Sequence, residues 1–157
     1  MTETTPRRSG FLVVGVDGSE SSRRALSWAP EEAALRSLAV RVVGVAQIHI
    51  MAPSVPGYPY ADQRLVDDLL EATRKTVTDE VSAVNREGSI SVSVEVLMGV
   101  PAEILTDMSK DAAMLVVGSR GRGGFSGLLL GSVSQQCVSH AKCPVMVVRP
   151  SAADSPG

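Results

Sequence analysis

The sequence predicts a single α/β domain built on an open parallel sheet with helices on both faces. Three observations carry that expectation. Short apolar, β-branched runs such as Phe11–Val16 and Met114–Val117 lack polar alternation, as strands covered on both faces do. They alternate with longer segments whose apolar residues recur at helical spacing, and strands alternating with helices imply a parallel sheet with right-handed crossovers. The length of 157 residues fits one core, since single domains hold about 100 to 200 residues.

Taken in order, Phe11–Val16 is a buried strand closed by Asp17 and Gly18. Ser19 is placed to cap a helix, with Ala25, Leu26, Ala29, Ala33 and Leu35 as its apolar stripe. Pro30 falls inside that helix and removes a hydrogen bond to the Leu26 carbonyl, a cost of about 3 kcal/mol in a regular interior, so a kink or break is expected there. Val40–Ile50 is a second strand running into a loop. The segment Met51–Ala61, with Pro53, Pro56, Gly57 and Pro59, continues neither regular structure and is expected as a surface loop carrying Tyr58 and Tyr60.

From Asp62 to Glu87, Val66, Leu70, Val77, Val81 and Val84 set a helix that Gly88 ends. Ile90, Val92, Val94 and Val96 alternate with Ser91, Ser93 and Glu95, the period-two pattern of a strand with one wetter face. Pro101 opens a short helix with Ile104, Leu105 and Met108 turned inward. Met114–Val117 is a strand, Gly118–Gly131 is glycine-rich, Ser132–Ala141 is a helix and Val145–Val148 is the last strand. The expected organisation is a flexible N-terminus over 1–9, one domain over 10–150 and a frayed tail over 151–157.

Composition narrows the function. With 44% hydrophobic and 20% charged residues the chain is globular. A net charge of −2 supplies no global attraction to nucleic acid or to an anionic membrane, so neither is expected as a partner. Met1–Gly10 is polar and lacks the apolar stretch of an export signal, and no apolar run approaches the roughly 20 residues that span a bilayer. A cytoplasmic location is expected. Cys137 and Cys143 match neither a redox pair nor a metal-ligand spacing and are expected as reduced, packed thiols.

The informative stretch runs Val117-Gly118-Ser119-Arg120-Gly121-Arg122-Gly123-Gly124 and ends at Gly131-Ser132. Glycines after a buried strand let the backbone approach a ligand and turn its N–H groups into an anion-binding nest. At the start of the following helix, unpaired N–H groups and the helix dipole favour a phosphate. Between Ala112 and Ala153 there are four basic residues, Arg120, Arg122, Lys142 and Arg149, and no acidic one. Planar guanidinium suits phosphate oxygens, although a flexible loop with solvated arginines reads the same way from composition alone. Asp17 stands at the carboxyl end of the first strand, where it accepts hydrogen bonds from ribose hydroxyls, holds a metal beside phosphates, or merely caps its turn.

Other chemistries drop out. No G-x-x-x-x-G-K-[ST] occurs, no G-x-G-x-x-G follows the first strand, and Val45-Ala46-Gln47 lacks the acid of a dinucleotide site. Neither Ser119 nor Ser126 lies in a G-x-S-x-G elbow, and His49 and His140 stand alone. No metal site and no catalytic residue is assigned.

The spacing Gly118-x2-Gly121-x9-Gly131-Ser132 resembles the G-2x-G-9x-G-[S/T] signature of the universal stress protein family, in its ATP-binding branch. Val14-Gly15-Val16-Asp17-Gly18-Ser19, Gly99-Val100-Pro101-Ala102 and Cys143-Pro144-Val145-Met146-Val147-Val148 are similar to that family as well. The resemblance implies a five-stranded parallel sheet with four helices, a Rossmann-like fold of the adenine nucleotide alpha hydrolase type. It implies ATP, with or without magnesium, held by Gly15, Val16, Asp17, Val45, Val117, Gly118, Ser119, Arg120, Gly121, Arg122, Gly123, Gly131, Ser132, Val133 and Ser134. It further implies a homodimer paired through Val145–Val148 and a nucleotide-dependent stress regulator. The alternatives are a slow ATPase or an autophosphorylating protein with Ser132 or Ser134 as acceptor, and a nucleotide-free dimerisation scaffold.

Overall fold

The computed structural model describes residues 10–47, 63–84, 91–121, 127 and 129–150. The two expected flexible ends, the loop with Tyr58 and Tyr60, the expected helix stop at Gly88, and Arg122 and Gly123 lie outside them. Five strands form one parallel sheet: β1 (Phe11–Val16), β2 (Ala39–Ala46), β3 (Val92–Met98), β4 (Met114–Gly118) and β5 (Val145–Val148), in the order β3-β2-β1-β4-β5. Between them run α1 (Glu20–Arg36), α2 (Gln63–Val84), α3 (Pro101–Met108) and α4 (Ser132–His140).

The strand order dictates where the helices go. Because crossovers are right-handed, connections that step from β1 towards β3 lay their helices on one face, and those that step back towards β5 lay theirs on the other. Accordingly α1 and α2 pack on one face, with Leu12, Val14, Val42 and Val116 beneath Ala25, Ala29, Ala33 and Val77. On the opposite face Val13, Val43, Leu115 and Val117 meet Leu105 of α3 and Cys137 of α4. Alternate residues of β1 and β4 thus serve two cores, which is why these two strands read as unbroken apolar runs.

Two expectations for α1 change. The helix runs without a break through Pro30, since burial of Ala25, Leu26, Ala29 and Ala33 on both sides holds it to the sheet against a penalty of about 3 kcal/mol. Leu35 is 78% exposed rather than inward-facing. It lies two residues past Ala33, which at 3.6 residues per turn puts it on the far side of the helix.

Cys137 is fully buried, and loss of hydration pushes its thiol from an ordinary 9.0 up to about 11. The fold therefore favours the neutral thiol, and its contribution to stability is lost as pH rises from 9.0 through about 11. With a maleimide at pH 8, mass spectrometry should find Cys137 unlabelled in the native protein and labelled after denaturation. Cys143, half-buried and raised less far by desolvation, serves as the internal comparison. Equal labelling rates at the two thiols would contradict the burial argument.

Candidate functional site

The order in which strands are added reverses at the β1–β4 pair, so the chain leaves these parallel neighbours towards opposite faces and opens a crevice at their carboxyl ends. Two short segments border it, Asp17–Ser19 after β1 and Ser119–Gly121 after β4.

The first segment is a tight turn. Gly18 takes φ 81°, a left-handed conformation that favours glycine. One carboxylate oxygen of Asp17, Oδ1, accepts the Ser19 N–H at 2.9 Å. Ser19 is the N-cap of α1, its Oγ accepting the Ser22 N–H at 3.2 Å. Ser22 Oγ in turn donates to the Ser19 carbonyl at 3.0 Å and accepts the Asp17 N–H at 3.3 Å. Asp17 thus holds its own turn while its other oxygen faces the second segment: a Cβ on Gly121 would lie 2.7 Å from Oδ2.

The second segment is pinned from below. A Cβ on Gly118 would stand 2.5 Å from Ser21 Oγ and 2.6 Å from the Ser21 carbonyl carbon, so this glycine lets α1 lie directly on β4. Ser119 is buried; its N–H donates to the Val148 carbonyl at 2.9 Å, and its carbonyl accepts the Gly131 N–H at 2.7 Å and the Ser134 hydroxyl at 2.9 Å. Ser19 Oγ also donates to the Arg120 carbonyl at 3.4 Å, joining the two segments. The chain that leaves at Gly121 returns to its own starting point, for a Cβ on Gly131 would sit 3.5 Å from the Gly121 nitrogen. Gly131 is the N-cap of α4 and has no side chain to cap it, which leaves the first-turn amides of Ser132, Val133 and Ser134 without a capping side chain.

The residues singled out in the sequence separate by what they touch. Asp17, Arg120, Gly121 and Gly131 come together at the crevice, and Ser132 follows as the first residue of α4. Gly118, Ser119 and the Ser134 hydroxyl, which also donates to the Gly131 carbonyl at 3.0 Å, brace it from beneath. The Gly131 amide is likewise engaged with Ser119. Val16 and Val117 are buried strand ends, Val45 and Val133 pack against the α3–α4 core, and Gly15 accommodates Leu105, whose Cδ1 would meet a Cβ at 2.9 Å. Sequence reading missed Ser21, Ser22, Arg23 and Glu80. Ser22 bonds back to Ser19 and was legible as a local cap residue, whereas Ser21 meets Ser119 and Val148 across 98 and 127 positions and Glu80 pairs with Arg23 across 57, contacts that leave no local signal.

The universal stress protein family profile matches residues 12–149, nearly the whole of the described domain. The chain belongs to the universal stress protein family. Universal stress protein Rv1996 of Mycobacterium tuberculosis is 38% identical over 149 residues, a match covering 87% of this chain and 47% of that protein. This universal stress protein therefore spans about half the length of the curated relatives it matches. Among solved structures, universal stress protein UspA from Lactobacillus plantarum superposes with a TM-score of 0.73 at 22% identity, covering 90% of this chain and 99% of that one. A universal stress protein in complex with cAMP gives 0.57 at 25% identity over 91% and 98%. A family member from Arabidopsis thaliana with AMP bound gives 0.63 at 22% over 94% and 96%. The five-stranded parallel sheet with four helices is the fold shared with these proteins. No described helix is long and apolar enough to cross a membrane.

Proposed function

We propose that this universal stress protein binds ATP at the crevice between β1 and β4 and acts as a nucleotide-dependent regulator. The observation that carries the reading is the convergence of Gly121, Asp17 and the side-chain-free cap of α4 on one crevice at the strand-order reversal, the position where open α/β sheets take nucleotides. Relatives of the same fold bind cAMP and AMP, which supports an adenine nucleotide as the ligand class. The residues fit such a group: Asp17 suits ribose hydroxyls, and the amides that open α4 together with Arg120 suit phosphates. Among the described residues no group of three or more His, Cys, Asp and Glu could hold a metal, so magnesium would arrive with the phosphates.

Regulation follows if nucleotide binds one state more tightly than another. Among the described residues the strand β5 is paired on one side only, and that outer edge suits pairing with a second copy. The reading places the protein in the cytoplasm. Of the two serines weighed as phosphate acceptors, Ser134 is 3% exposed with its one hydroxyl proton shared between two carbonyls, which weighs against autophosphorylation there.

Native mass spectrometry of the purified protein should find a co-purified adenine nucleotide, and calorimetric titration should rank ATP, AMP and cyclic AMP. No retention of any of them at millimolar concentration removes the reading. Gly131 supplies a sharper check. Among the described residues a Cβ there meets only ordinary contacts, 3.4 Å to the Arg120 Cα and 3.5 Å to the Gly121 nitrogen, and its φ of −74° suits any residue. Gly131→Ala is therefore expected to change stability by no more than about 1 kcal/mol while weakening ATP about tenfold, because the methyl would crowd the phosphates. Calorimetry beside thermal melts reads both effects.

A further inference from the structure

We infer that Glu80 and Arg23 are positioning residues of the crevice: α2 holds the turn after β1 in its binding shape through a two-armed arginine. The inference rests on the nucleotide reading above and adds to it a residue far from the signature. One arm of Arg23, Nη2, donates to the Gly18 carbonyl at 2.9 Å, and Nε donates to Glu80 Oε1 at 3.0 Å. The Gly18 carbonyl belongs to the left-handed residue between Asp17 and Ser19, so the guanidinium grips the turn that aims the Asp17 carboxylate.

The burial is uneven. The Arg23 side chain is 60% exposed, that of Glu80 only 11%, and Glu80 Oε2 is buried without a hydrogen-bond partner among the described residues. A carboxylate held out of water with one oxygen unsatisfied is a net cost to the fold. The attraction of a largely exposed arginine is weakened by water and offsets little of that cost, so stability does not explain the arrangement. Geometry does. The planar fork fixes two acceptors at once, and lysine, a point charge on a flexible stem, cannot reproduce that. The clamp thereby joins α2 to the mouth of β1, a link that neither the signature loop nor the cap of α1 provides.

The test uses the full chain as wild type, Arg23→Ala, Arg23→Lys, Glu80→Gln and the Arg23→Ala/Glu80→Gln pair. Without nucleotide, exchange at the Asp17 and Ser19 amides is followed by NMR, with amides of β1 as reference. Each single variant is expected to speed exchange at the turn about fivefold or more with β1 unchanged, and the double variant no further than Arg23→Ala, as for residues acting as a unit. ATP affinity should fall about three- to tenfold in each, with Arg23→Lys as weak as Arg23→Ala. Unchanged exchange at the turn overturns the inference, as does full rescue by lysine, which would reduce the clamp to charge alone. Should the wild type bind no nucleotide, the functional reading falls, and the exchange measurement still decides whether the clamp sets the turn.

Discussion

Gly121→Val is expected to weaken ATP binding at least about a hundredfold, some 2.7 kcal/mol, and to leave the melting temperature within about 2 °C of wild type. The two effects separate because of what surrounds this glycine. It is exposed, and its backbone does not fall among the described glycines with positive φ, Gly18, Gly99 and Gly127, so a side chain costs the fold little. A Cβ would nevertheless lie 2.7 Å from Asp17 Oδ2, closer than real contacts allow, and the branched valine would extend further into the crevice. The crowded oxygen is the far end of an exposed side chain, so the carboxylate can turn away at small cost to the fold, but it then no longer faces the crevice as it does in the wild type. Calorimetric titration with ATP beside a thermal melt checks both halves. An affinity within threefold of wild type would mean that ligand does not enter between Asp17 and Gly121. Gly121→Ala, which adds the Cβ alone, should fall between the two.

Most of the architecture was legible from the sequence because the physics that sets it is local and repetitive. Buried strands covered on both faces must be apolar throughout, so β1 and β4 announced themselves. Ser19 after a glycine turn marked the start of α1 within a residue. Pro30 misled because a proline penalty is local while the adhesion of Ala25, Ala29 and Ala33 to the sheet is not, and the sum over the buried face wins. Leu35 misled because an apolar residue near a stripe is not on it unless the phase agrees.

The crevice was legible in part. Spacing alone marked Gly118, Gly121 and Gly131 as a set, yet they are glycines for three reasons. Gly118 makes room for a helix, Gly121 makes room for a carboxylate, and Gly131 meets, among the described residues, no steric demand that only glycine could satisfy. Sequence spacing cannot separate these, since each depends on what the fold brings opposite. The same holds for Glu80, whose partner lies on another helix.

That separation yields the second large effect, on folding rather than binding. Gly118→Ala is expected to lower stability by about 3 kcal/mol, the upper part of the usual range for overpacking, and so to lower the melting temperature by about 6 to 12 °C. The added methyl would stand 2.5 Å from Ser21 Oγ, 2.8 Å from its Cβ and 2.6 Å from its backbone carbonyl carbon. A side-chain end could rotate out of the way; a backbone atom in the first turn of α1 cannot. The helix must lift from β4, loosening the buried contact of Ser21 Oγ with Ser119 Oγ at 3.4 Å and its bond to the Val148 carbonyl at 3.3 Å. Urea and thermal unfolding without nucleotide measure the loss. Ser21→Gly placed in the same chain removes the Oγ and Cβ collisions but leaves the 2.6 Å approach to backbone, so it should restore only part of the stability. Complete recovery would locate the crowding in the serine side chain alone, and wild-type stability in the single variant would show that α1 does not need glycine beneath it. Because nucleotide is absent from this experiment, its result assigns Gly118 to the scaffold or to the ligand independently of what the crevice binds.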